Sequence, residues 1–279
     1  MKENIPDGRF VSSPRFPVFH VPHDGREFPA ELVSSVRIPW EEFLAYHEKM
    51  RDTDMRLVIP DSYSHNGSSC IFPVSRLLCD PERFPGPEEP MERYGMGFCY
   101  EKAYDGRVIK SVTEELREKT LRYYRAHHAR LDGICERHSR ILFFDLHSYS
   151  DEILPPERRG ESTPDLCIGT EERFTPAWLK DLVRKHFLRA GFSVAENTPY
   201  PGCLIPGAIL SGRTDCDLIG IMLEIHKRAY CDESGKSIPE KLSLLRETVR
   251  RTTEECPAAE AAARKSGGFR PETGICFAI

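Results

Sequence analysis

The stretch ILFFDLH, Ile141 to His147, followed by Ser148, decides how this chain reads. Four apolar residues run into Asp145, Leu146 and His147. A short apolar run of this kind reads as a buried strand. Its polar residues arrive where such a strand emerges, and in open α/β sheets ligands bind beyond the carboxyl ends of the strands. The layout returns twice. PVFHVPH, Pro17 to His23, ends on a histidine before Asp24 and Gly25, and LIGIMLEIH, Leu218 to His226, carries Glu224 near its far end. Two imidazoles and a carboxylate, each delivered at a strand end, point to metal-assisted hydrolysis.

Outward from these strands, the pattern alternates between strands and helices. Helical spacing predicts a helix over Trp40–Val58, through Phe43, Leu44, His47, Met50, Met55 and Leu57. Ser69–Val74 reads as a strand. Arg107–His138 reads as one long helix or two, with Val108, Val112, Leu116 and Leu121 on one face. Thr175–Ala190 is helical and stops at Gly191, a C-terminal signal. Phe192–Ala195 reads as a strand and Pro239–Ala263 as a final helix. Residues 80–100 and 149–164 are rich in Pro and charge and read as long ordered loops, which in compact domains are often functional. Residues 1–15 read as a loose lead-in and 265–279 as a tail. Such alternation predicts one domain over 1–279, a three-layer α/β/α arrangement around a mainly parallel mixed sheet.

Composition narrows the function. The 279 residues carry 39 Lys and Arg against 44 Asp and Glu, a formal charge of −5, with 39% hydrophobic and 30% charged residues. That is an ordinary globular composition, and it lacks the basic excess of a general nucleic-acid binder. No apolar run approaches the roughly 18 residues of a membrane span, and the start MKENIPDGRF has no signal-peptide core. The expectation is a soluble cytoplasmic protein. The ten cysteines are scattered without a CxxC pair. They read as free buried thiols, packing residues even at Cys70, Cys167 and Cys203. No heptad or exposed apolar stripe predicts an oligomer interface.

Catalytic zinc takes three protein ligands from His and carboxylate. His23 and His147 are the obvious imidazoles. Asp52 and Asp54, in RDTDMRL on the helix after the first strand, compete for the carboxylate place, and Glu224 is placed to act as general base. Each has a plainer reading: HVPHDG as a turn, RDTD as a solvated helix face, Glu224 as a partner of Lys227 or Arg228. His20, His65, His127, His128 and His226 compete as ligands, with His127 and His128 on a polar helix and His226 on the same strand face as Glu224. In SRLLCDPERFP, Arg76 and Arg83 read either as a carboxylate clamp or as a surface ion-pair network with Asp80 and Glu82. NTPYPG, Asn197 to Gly202, reads as a loop that could be a lip of the site.

The order of these motifs resembles the N-formylglutamate amidohydrolase family, from about residue 17 to about 234. VPHDGREFP is similar to its V-P-H-[SA]-G segment, RDTDMRL to D-T-D, SRLLCDPERFP to S-R-x-x-x-D-x-N-R, and DLHS to D-x-H-S. PDLCIGT is similar to P-D-x-x-[IL]-G-T, NTPYPG to N-x-P-Y-x-G, and LEIHKRAYCDE to L-E-[IL]-x-x-x-x-Y-x-[DN]-E. The resemblance implies a zinc carboxypeptidase-like (phosphorylase/hydrolase-like) fold with one divalent metal ion, Zn2+ first among the choices. It implies His23, Asp52 and His147 as metal ligands, with Asp54 the alternative carboxylate, and Glu224 as the residue that activates water. It implies Arg76 and Arg83 on the substrate carboxylate or the oxyanion, and Asn197, Tyr200 and Tyr230 lining the pocket. Glu82 stands where the family pattern has Asn, and a carboxylate there repels a carboxylate. PGPEEPMERYGM adds further negative charge.

The expected activity is hydrolysis of a small N-acyl amino acid, N-formylglutamate among them. A metallopeptidase or amidase on peptide or cell-wall fragments shares the metal site but needs an open groove. A non-catalytic ligand-binding protein of the same fold predicts a missing ligand or base.

Overall fold

The computed structural model describes residues 13–154, 158, 160 and 162–266. Among them, β1 (Phe16–Val21), β2 (Ser69–Ile71), β3 (Arg140–Tyr149), β4 (Leu166–Gly169), β5 (Val194–Glu196) and β6 (Asp217–His226) form one sheet in the order β2-β1-β3-β6-β4-β5. Pairing is parallel except between β4 and β6, so the sheet is mixed and mainly parallel. The helices are α1 (Ala30–Val33), α2 (Trp40–Met50), α3 (Glu114–Arg137), α4 (Ala177–Arg189), α5 (Gly207–Leu210) and α6 (Pro239–Lys265).

Strand pleating sorts the side chains into layers. Leu142, Phe144 and Leu146 of β3 join Ile219, Ile221 and Leu223 of β6 in a core roofed by Leu179, Val183 and Phe187 of α4 and Leu245 and Val249 of α6. Ile141 and Phe143 point the other way, with Val18 and Leu218, onto Leu131, Ile134 and Cys135 of α3. This second face continues along β3 to Asp145 and His147. The alternation that makes ILFFDLH a core strand therefore also sets its two polar residues on one side.

Several boundaries differ from the sequence reading. The helix expected over Trp40–Val58 ends at Met50. Arg51 is extended, Asp54 is left-handed at φ 56°, and Met55–Val58 is a separate 3-10 turn. Asp52 and Asp54 are thus in a turn, not on a helix. The helix expected from Arg107 starts at Glu114, where the Thr113 hydroxyl caps the Leu116 N–H; residues before it bridge to Val36 and Lys102 instead, and Val108 is exposed. β2 stops at Ile71, and Val74 makes an isolated bridge to Glu27. β5 starts two residues later and ends one residue later than expected. β4, within PDLCIGT, was not anticipated as a strand. Gly191 follows α4 at φ 91°, as its C-terminal signal predicted.

Residues 1–12 and 267–279 of the expected lead-in and tail lie outside the described residues, as does part of loop 149–164. Arg15 is not loose. Its buried guanidinium bonds Asp217 and Glu260, because the foot of β3 carries another buried cation, Arg140, that needs the same carboxylates. No helix of the described residues is long and apolar enough to cross a membrane.

On α2, His47 shares the buried face with Phe43 and Met50, its Nδ1 2.9 Å from the Ser75 hydroxyl. Burial pushes its imidazole from the ordinary 6.5 down to about 4. The unfolded chain then takes the proton first, so the stability that neutral His47 contributes is complete above pH 6.5 and lost as pH falls toward 4. His47→Gln is expected to flatten the acid slope of urea midpoints between pH 6.5 and 4, by about 3 kcal/mol in all. An unchanged slope would refute this.

Candidate metal centre

β3 and β6 lie in register with His147 opposite Glu224. His23 follows β1 by two residues, and its carbonyl accepts the Asp52 N–H at 3.1 Å. The turn carrying Asp52 is fixed from two sides. Buried Asp24 accepts from Arg51 and Arg56 at 2.7 Å each, and the Tyr230 hydroxyl donates to the Thr53 carbonyl at 2.9 Å. One carboxylate oxygen of Asp52 consequently sits 3.5 Å from His23 Nδ1 and 3.5 Å from His147 Nδ1. All three residues are buried, and neither Asp52 Oδ2 nor His23 Nδ1 has a hydrogen-bond partner. Asp54 lies elsewhere, paired with Arg26 and Ser237.

His23 Nε2 is 2.9 Å from Asp80 and His147 Nε2 is 3.0 Å from Asp145. An ionised carboxylate only accepts, so His23 carries hydrogen on Nε2, whereas His147 Nε2, near both Asp145 and Glu82, is buried without a hydrogen-bond partner; both Nδ1 atoms face Asp52. Carboxylate–histidine pairs of this kind orient metal-binding imidazoles. Tetrahedral zinc with ligands at about 2.0–2.2 Å sets neighbouring donors roughly 3.3–3.6 Å apart, so the Asp52 spacings fit. Burial disfavours charge on the two imidazoles, yet both titrate above the ordinary value. Asp80 and Asp52 outweigh burial and Arg76 for His23, and Glu82, Asp145 and Asp52 outweigh burial for His147. The surrounding carboxylates thus offset the desolvation of the two imidazoles.

Behind His147, Asp145 also accepts His20 Nδ1–H at 2.8 Å and the Leu204 N–H at 3.1 Å. His20 Nε2 is 2.8 Å from His127 Nε2. Burial holds His127 far below its ordinary pKa, so neutral His127 donates to His20 and every proton in the chain points toward Asp145. Glu82 lies 3.2 Å from His147 Nε2 and 3.8 Å from His23 Nε2. Among the described residues it completes the two groupings whose ligand-type atoms all lie within 4.8 Å of one another, with His23 and His147 and with His20 and Asp145. His23 Nε2 and His20 Nδ1 already serve Asp80 and Asp145, while His147 Nε2, His23 Nδ1 and Asp52 Oδ2 are buried without a hydrogen-bond partner.

Glu224 is 8% exposed, and its Oε2 has no partner. Burial pushes its carboxyl up to about 7; His147 and His23 pull it down, while Asp52 and Glu82 add to the rise. It can exchange a proton near neutral pH. Asp80, weighed from sequence only as an ion-pair partner, is instead a buried hub. It accepts from His23, from Arg76 and Tyr100 at 2.9 Å each, and from the Glu82 N–H at 3.0 Å, with Arg83 3.8 Å away. The guanidiniums are therefore no surface network. The signal for Asp80 was its i, i+4 spacing from Arg76.

His23, Arg76, Arg83, Tyr200 and Glu224 line one cavity of about 730 Å³, together with His147. A larger hollow of about 1060 Å³ beyond the Arg51–Asp54 turn is lined by none of His23, Asp52, His147 or Glu224. Two expected pocket residues are not there. Asn197 uses its amide on Thr170, bracing the ends of β4 and β5. Tyr230 is fully buried beneath the Asp52 turn. Of the competing histidines, His65 is exposed, His128 bonds the Pro81 carbonyl, and His226 faces Asp151. Cys70 lies 4.0 Å from His127, the Cys167 thiol meets the Tyr200 carbonyl, and Cys203 lines the cavity. All nine described cysteines are free.

The family described as N-formylglutamate amidohydrolase matches residues 17–231. No curated protein sequence matches the chain. Among solved structures, N-formylglutamate amidohydrolase from Ralstonia eutropha JMP134 superposes with a TM-score of 0.67 at 20% identity, covering 91% of this chain and 96% of that one. A gene product of Agrobacterium tumefaciens superposes with a TM-score of 0.60 at 17% identity, covering 88% and 93%. At these identities the likeness concerns the fold.

Proposed function

The chain belongs to the N-formylglutamate amidohydrolase family, and from that premise we propose that it hydrolyses the amide bond of a small N-acyl amino acid with one divalent metal ion, zinc first among the choices. The observation that carries this is the meeting of His23 Nδ1 and His147 Nδ1 on the unpartnered Asp52 Oδ2. These three residues would hold the ion. A bound divalent ion supplies a Lewis acid that polarises a carbonyl and acidifies water. Glu224 takes the proton from the attacking water and delivers it to the leaving amine. Arg76 and Arg83 hold the substrate carboxylate or the developing oxyanion, and Tyr200 forms part of the wall. Asp80 ties His23 to Arg76, so ligand and clamp keep one mutual orientation.

The cavity favours a small substrate over a peptide groove, since residues of both long loops, Phe84 to Met96 and Tyr149 to Arg158, contribute to its lining. The presence of His23, Asp52, His147 and Glu224 around one point favours an enzyme over a binding protein. Metal content tests the reading. Protein purified without chelator is expected to hold about one zinc per chain, and His147→Ala to lose it. A wild-type protein that takes up no metal even after incubation with zinc would end this proposal.

A further inference from the structure

Nothing in that chemistry calls for an apolar wall, yet the cavity has one. The chain has six methionines, and four of them, Met50, Met91, Met96 and Met222, line this single cavity. Met222 precedes Glu224 by two on β6 and shares its face. Phe84 joins them with 56% of its surface exposed. The wall is built rather than incidental: buried Glu89 accepts the backbone N–H of both Phe84 and Met91, at 2.8 Å each, and so ties the two ends of the loop together. Methionine is flexible and polarisable, and it moulds to apolar groups of varied shape.

The charged lining points the same way. A substrate with two carboxylates needs two cationic clamps. Arg76 and Arg83 both converge on Asp80, and the Nε of each is buried without a hydrogen-bond partner, which makes one anion subsite. Arg158 adds a third guanidinium to the lining. Glu82, Glu89 and Glu224 add negative charge around the same space. The volume of about 730 Å³ falls in the range of roughly 300–1,000 Å³ that takes drug-sized ligands, beyond what a formyl group and a short acidic side chain fill.

Resting on the amide-hydrolase reading above, we infer that the substrate is an N-acyl amino acid with a single carboxylate and a bulky apolar group, the carboxylate on Arg76 and Arg83 and the apolar group against Phe84 and the methionines. The reaction is hydrolysis: the water oxygen bonds the acyl carbon, the C–N bond breaks, and the amine leaves with the proton.

The test uses metal-replete full-length protein on N-formylglutamate, N-formylphenylalanine and N-octanoylglycine. One of the two apolar compounds is expected to exceed N-formylglutamate in kcat/KM at least about tenfold. Preference for the octanoyl compound assigns the wall to the acyl group, and preference for the phenylalanine compound assigns it to the amino-acid side chain. Phe84→Ser, checked by melting temperature, is expected to raise KM for the preferred compound about tenfold more than for N-formylglutamate. An equal effect on both would overturn the role given to the wall. N-formylglutamate as the best substrate would overturn the inference and leave the amide-hydrolase reading standing. No cleavage of any of the three by protein that holds its metal would overturn both.

Discussion

Glu224→Gln is expected to lower turnover by about 10³-fold or more while leaving metal content at the wild-type level. Glutamine keeps the shape and one carbonyl oxygen but cannot take a proton from water. Metal content is expected to hold because the three proposed donors, His23 Nδ1, Asp52 Oδ2 and His147 Nδ1, are untouched. The pH profile adds a second readout. In the metal-free protein burial sets the Glu224 carboxyl at about 7, and a divalent cation beside it pulls that value down. The base works ionised, so kcat/KM is expected to fall as pH drops below neutrality, with the midpoint under 7. The residual rate of the glutamine variant is expected to lack that acid limb. Turnover within tenfold of wild type would remove Glu224 from the mechanism.

Glu260→Ala is expected to destabilise the fold by about 3–5 kcal/mol, lowering the melting temperature by roughly 10 °C for a chain of this size. Glu260 on α6 is buried and accepts from Arg15 at 3.0 and 3.2 Å, Arg140 at 2.5 Å and Arg264 at 2.8 Å. Arg15 and Arg140 are almost fully buried at the foot of β3. Without Glu260 their remaining carboxylate is Asp217, whose side chain is 36% exposed. The cost comes from leaving two guanidiniums desolvated, not from losing an attractive contact, so replacing Arg15 and Glu260 together by methionine is expected to recover part of the loss. A melting point within 2 °C of wild type for Glu260→Ala would show that water reaches this network.

The amino-acid sequence alone determined the strands that matter and the face they present. The apolar run of β3 and the pleat that alternates Leu142, Phe144 and Leu146 with Phe143, Asp145 and His147 are local properties, because side-chain direction in a strand follows a period of two. The expectation that His23, His147 and Glu224 gather at one edge followed from strand ends alone. What the sequence left open were choices between neighbours and pairings across long separations. Asp52 and Asp54 are two residues apart and chemically alike. Only the left-handed backbone at Asp54, with the hold of Asp24 and Tyr230 on the turn, aims one at the histidines and the other at Arg26. β4 escaped notice because its four residues are too short to show a period, and what makes them a strand is antiparallel pairing to β6, more than fifty residues away. Asn197 and Tyr230 sit in motifs that suggest a pocket, yet tertiary contacts make them braces. Asp80 became the hub for the same reason: a carboxylate's role depends on which donors the fold brings within 3 Å of it, and those donors, His23, Arg76 and Tyr100, come from three separate segments of the chain.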